Sequence, residues 1–183
     1  MSCAPADVTE GDTGTAAAPY TDAARARLVA AYEACELAEL ARAAVPIGEH
    51  ELHPDGTVRS PGSVLADAAR VLGAAQRFFE AAAVFERLGG ANWELIGDVL
   101  GVSAHTARAR FTTAEDRFRR GLLSPAEATG PPGSPGEVSW WRAYMAREPQ
   151  EAALDLDEWV LRHQDGDSGL GSAPVSGGLA RRR

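Results

Sequence analysis

The stretch NWELIGDVLGVSAHTARARF, residues 92–111, holds the residues of this chain best suited to recognition chemistry. Ser103, Ala104, His105, Arg108, Ala109 and Thr112 fall at spacings that give a helix its leading and outward positions. An arginine can present two parallel N–H donors to guanine O6 and N7, a contact worth about 1–3 kcal/mol of discrimination between bases. Arg108 is the candidate for that contact. His105 and Thr112 are suited to base edges or phosphate, Ala104 or Ala109 to a thymine methyl, and Ser103 to seating the helix on phosphate. Arg110, Arg117, Arg119 and Arg120 are better placed for phosphate than for bases, and phosphate contacts position a protein without reading sequence. The chemistry implied is the reading of DNA in the major groove by a helix over about 104–120.

Such a helix must be held at an angle by a second one. Two short helices, about 92–100 and 104–120, meet that need. Gly97 stands where the helices would cross, and Gly101 stands at the turn, where a positive φ is cheap for glycine alone. Ile96, Leu100, Val102, Ala107 and Phe111 form the expected internal apolar set, extended by Trp93 and Phe118. Ser103 is the expected N-cap of the second helix, and Gly121 its C-terminal stop.

The pattern W-x-x-I-G-x-x-L-G-V-S-x-x-x-A-R-x-R-F, from Trp93 to Phe111, resembles the helix-turn-helix by which sigma factors read the promoter −35 element. It is closer still to small actinobacterial helix-turn-helix DNA-binding proteins, in which an Ala-rich helix precedes the motif, as it does here before Gly89. The resemblance covers roughly residues 64–120 and implies a regulator of transcription. The sigma-factor domains that bind core polymerase and melt promoters have no counterpart in the chain.

Charge tempers this reading. The 183 residues carry a net charge of −8, and all 18 basic residues are arginine. That excludes a protein that coats nucleic acid non-specifically. Residues 92–123 hold five Arg against Glu94, Asp98, Glu115 and Asp116, a balance of +1, whereas residues 1–24 and 124–163 each carry −4. Few phosphate contacts mean modest affinity, so a homodimer or an RNA polymerase partner is implied beside DNA. A dimer would set two recognition helices about 34 Å apart. Its seam could involve Phe78, Phe79 and Phe85, whose default role is core. The rival reading is an adaptor that engages RNA polymerase or another regulator through this motif and through Trp140, Trp141 and Trp159, set in an acidic C-terminal segment.

The fold class expected is all-α, a helical bundle with disordered N- and C-terminal tails. Residues 1–20 read as a tail and residues 21–123 as a helical domain. Within it one helix is capped by Thr21 and stopped before Pro46, and a second is capped by Ser63 and ends near Leu88. Pro54-Asp55-Gly56 marks a small hairpin or ordered loop between them. Residues 124–137 are a Pro/Gly linker, 138–163 an accessory helical pair and 164–183 a tail. His50 and His53 beside Glu49, Glu51 and Asp55 read as a solvated turn, so no metal and no cofactor is expected. No nucleophile motif or phosphate-binding loop nominates an enzyme. Cys3 and Cys35 are too few for a disulfide scaffold, and the chain lacks a secretion signal or a membrane-length apolar run. A cytoplasmic protein is expected.

Overall fold

The computed structural model describes residues 20–123, 139–164 and 169–179; of residues 123, 139 and 140 only the backbone is described. The linker expected at 124–137, residues 1–19 of the N-terminal tail and the side chain of Trp140 lie outside the described residues. Those described fold into six α-helices without a β-strand. The chain is all-α.

Helix α1 (Asp22–Ala43) begins at Thr21, whose hydroxyl accepts from Ala24 N at 3.1 Å. Helix α2 (Ser63–Leu88) runs back along it. Its N-cap is not Ser63 but Gly62, at φ 92°, which turns the chain where a side chain would be strained. Between the two lie a short 3-10 helix, Glu49–Glu51, and one antiparallel bridge joining Leu52 and Val58. Helices α3 (Trp93–Leu100) and α4 (Ala104–Leu123) follow, and α4 passes straight through Gly121. Gly121 is absent from the glycines with positive φ, so it gives no C-terminal stop. The final pair is α5 (Ser139–Arg147) and α6 (Pro149–His163), the latter opened by a proline at its first position.

Two apolar clusters hold these elements. Leu28 on α1, Trp141 and Met145 on α5, and Ala152, Ala153 and Leu156 on α6 bury one another. Ala83 on α2, Ile96 on α3, and Ala107 and Phe111 on α4 form the second, with Phe79 meeting Phe111 edge to face at 5.3 Å between centroids. The long α1–α2 pair connects the clusters.

Buried carboxylates lock this arrangement. Glu33 on α1, 1% exposed, accepts from Arg77 of α2 at 2.9 Å and Arg142 of α5 at 3.4 Å. A buried charge persists only when paired, so this one fixes three helices relative to each other. Asp157 on α6 accepts from the backbone N–H groups of Val175 and Ser176, at 2.6 and 3.1 Å, and from the Ser176 hydroxyl. Arg27 of α1 donates to the carbonyls of Pro174 and Val175, both at 2.9 Å. Residues 169–179 therefore depart from the expected disordered tail: Val175 joins the first cluster. At the other end Tyr20, also assigned to a tail, is buried and donates to Gln150.

Candidate nucleic-acid interface

The turn between α3 and α4 is built from three backbone facts. Asn92 caps α3, its side-chain oxygen accepting from Leu95 N at 2.8 Å. Gly101 closes α3 at φ 66°, ψ 30°. Ser103 then accepts at Oγ from Thr106 N, at 3.1 Å, and at its carbonyl from Ala107 N, at 2.9 Å, which starts α4. Gly97 faces this turn so closely that a Cβ there would lie 2.7 Å from the Val102 carbonyl oxygen. Ile96, Ala107 and Phe111 are buried beneath, and Leu100 packs against them. Val102, expected inside, is instead 37% exposed because the turn carries its side chain away from the cluster.

Glu115 anchors the base of α4. It is 6% exposed and pairs with Arg119 at 2.8 Å and with Arg87 of α2 at 3.7 Å. Arg87 also lies over the Trp93 ring, 4.3 Å from its centroid, so one arginine joins α2, α3 and α4.

The arginines of α4 are consequently unequal. Arg117 pairs with Glu80 at 3.5 Å, Arg119 with Glu115, and Arg120 donates back to the Asp116 carbonyl. Arg110, expected to face phosphate, folds over Phe79 and Phe111, at 4.8 and 5.5 Å, because those rings border it. Arg108 is exposed, and its side chain has no hydrogen bond, ion pair or ring contact among the described residues. His105 and Ala109 are exposed alongside it, with Ala104 and Thr112 half-buried. The Thr112 hydroxyl donates to the Arg108 carbonyl at 2.7 Å, and the Ser103 hydroxyl shares a hydrogen bond with Thr106 at 2.8 Å. Both side chains thus serve the helix backbone first. Ser103 precedes α4 and the other six candidate residues lie along its first three turns, Arg110 among them but turned towards α2.

Two features escaped the sequence reading. Leu95 and Val99, one turn apart on α3, are 53% and 77% exposed and form an apolar strip. Asp116 continues the stripe of Thr112 by one turn and is exposed, so it opposes any anion approaching that end.

Trp141 is buried and stacked on Tyr32 at 3.8 Å, so it belongs to the core rather than to a docking patch. Trp159 is half-buried and donates to Glu39 at 2.7 Å. In the 48–60 loop, Asp55 accepts from Thr57 and Glu51 from Gly48 N. Among the described residues no group of three or more His, Cys, Asp or Glu side chains is placed to hold a metal ion, and no helix is long and apolar enough to cross a membrane. Comparison with protein-family models, curated proteins and solved structures finds no match to this chain.

Proposed function

We propose that the chain is a sequence-specific DNA-binding regulator of transcription that sets α4 into the major groove as the second helix of a helix-turn-helix. The observation that carries this reading is the contrast between Arg108 and its neighbours. Four arginines of α4 are engaged within the protein, while Arg108 stands free beside His105 on the first turns after the cap. Those first turns are where a recognition helix meets base edges. The capped start, the tight Gly97 crossing and the left-handed Gly101 supply the rigid support such a helix needs. The resemblance of Trp93–Phe111 to the −35-reading motif points the same way.

The test is a salt-series binding assay comparing wild type with Arg108→Ala and Arg110→Ala. Arg108→Ala should lose about 1–3 kcal/mol of preference between specific and unrelated DNA. Arg110→Ala should keep that preference. Equal preference in all three proteins would refute the assignment.

A second reading has its own support. The exposed strip of Leu95 and Val99 lies beside Glu94 and Asp98, a face better suited to a protein than to phosphate. In that reading the same helix pair docks RNA polymerase or another regulator, or a second copy of the chain. Binding of such a partner, lost on Val99→Asp without any DNA affinity in wild type, would favour it.

A further inference from the structure

A cavity of about 390 Å³ opens between α1, α5 and α6, built on elements other than α3 and α4. Its volume lies within the range of small-molecule sites, about 300–1,000 Å³. Four aromatic side chains line it: Tyr32, Trp141, Tyr144 and Trp159. Met145 and Leu156 add apolar surface. The charged groups of the lining are all acidic: Glu36, Glu39 and Asp155.

The three carboxylates share one arrangement. Tyr32 donates to Glu36 at 3.2 Å, Trp159 to Glu39 at 2.7 Å and Tyr144 to Asp155 at 3.0 Å. A neutral donor orients a carboxylate and leaves its charge in place. Among the described residues Glu36 and Asp155 have no ion pair. Glu39 pairs with Arg42 at 3.9 Å and lies 3.8 Å from His163, so the three acids outnumber the one arginine paired with them. Arg142 sits over Trp141 at 5.3 Å but is committed to Glu33. The field in the cavity is therefore negative. Cys35, also in the lining, registers it: burial first, then Glu36 and Glu39, push its thiol up to about 11.

Half-buried aromatic rings and an excess of carboxylates around one cavity select for a single ligand chemistry. A ring face attracts a cation through its quadrupole, and more strongly where water is excluded. An anion would meet three like charges, and a neutral apolar ligand would gain nothing from them. We propose that this cavity binds an organic cation with an apolar body, of the quaternary-ammonium or aromatic-amine class. Its body would rest against the half-buried rings of Tyr144 and Trp159, with Tyr32 and Trp141 stacked on each other behind them and its charge offset by Glu36, Glu39 and Asp155. The proposal stands apart from the DNA reading, since neither α3 nor α4 lines the cavity.

The test uses the full chain and three probes: benzyltrimethylammonium, its uncharged carbon isostere neopentylbenzene, and benzoate. Calorimetry and Trp fluorescence read binding, with Trp141 and Trp159 in the walls as reporters. The expected result is saturable binding of benzyltrimethylammonium, with the isostere and benzoate at least about tenfold weaker, the factor that cation–π and carboxylate contacts supply together. Glu39→Gln combined with Asp155→Asn, both exposed positions, should weaken the cation by about tenfold at unchanged Tm. Equal affinity for the neutral isostere would overturn the proposal. So would no saturable binding of the cation, or undiminished cation binding by a folded double variant. The isostere comparison is made on wild type and does not depend on how the variant folds.

Discussion

Gly97→Ala is the sharpest perturbation of the support beneath α4. Two effects oppose each other there. Alanine is favoured over glycine inside a helix by about 1 kcal/mol. The added methyl, however, would lie 2.7 Å from the Val102 carbonyl oxygen, 3.1 Å from Ala104 N and 3.2 Å from the Ser103 carbonyl carbon. All three are backbone atoms of the turn, so no flexible side chain can swing away. Reaching an ordinary contact of 3.4 Å requires a shift of 3.4 − 2.7 = 0.7 Å between α3 and the turn. Overpacking costs about 1–3 kcal/mol, and a contact this close to backbone falls in the upper part of that range, about 2–3 kcal/mol, so the net expectation is a loss of about 1–2 kcal/mol after the helix gain is subtracted. Gly73→Ala on α2 is the internal control, because its nearest neighbour, the Arg77 guanidinium, lies at an ordinary contact distance of 3.9 Å. It should gain about 0.5–1 kcal/mol. Urea denaturation followed by far-UV circular dichroism measures both. Gly97→Ala equal to or more stable than wild type would refute the close crossing of α3 and the turn.

Three further outcomes are expected. Glu33→Gln should destabilise by about 3 kcal/mol, the low end for breaking a buried pair because both arginines reach water; a change under about 0.5 kcal/mol in urea melts, the range of ordinary surface substitutions, would contradict that. Asp157→Ala strands two backbone N–H groups and should cost about 1–3 kcal/mol. It should also open residues 169–179 to limited proteolysis, and an unchanged cleavage pattern would tell against the docked segment. Cys35, raised from about 9 to about 11 by burial and the acids beside it, stays protonated at pH 8. In a Cys3→Ser background its alkylation should run about a hundredfold slower than that of an ordinary thiol, and faster as pH rises towards 11. Reaction at the rate of the urea-unfolded chain would contradict the assignment.

What the sequence disclosed followed the range of the interactions. Thr21, Gly101 and Ser103 act within one helical turn of themselves, so residue type and spacing were enough to place them. Gly97 was legible because its crossing partner lies only a few residues further on. The errors share a different cause. Ser63 has the right chemistry for a cap, but the chain turns one residue earlier at Gly62. Gly121 looks like a stop, yet α4 continues through it. Arg110 follows Arg108 by two positions, and only the packing of α2 decides that its guanidinium meets Phe79. Glu33 drew no notice in the sequence, because its partners are 44 and 109 residues away. The docking of Val175 depends on Asp157, 18 residues back, and on Arg27 of α1. The cavity was hidden for the same reason, its walls coming from α1, α5 and α6.

The most direct test of the DNA reading is selection from a random-sequence DNA pool by the full chain, repeated with Arg108→Ala and sequenced. Wild type should enrich a short motif containing guanine, and Arg108→Ala should relax the preference at that guanine. A wild-type pool that stays random at low and moderate salt would contradict it.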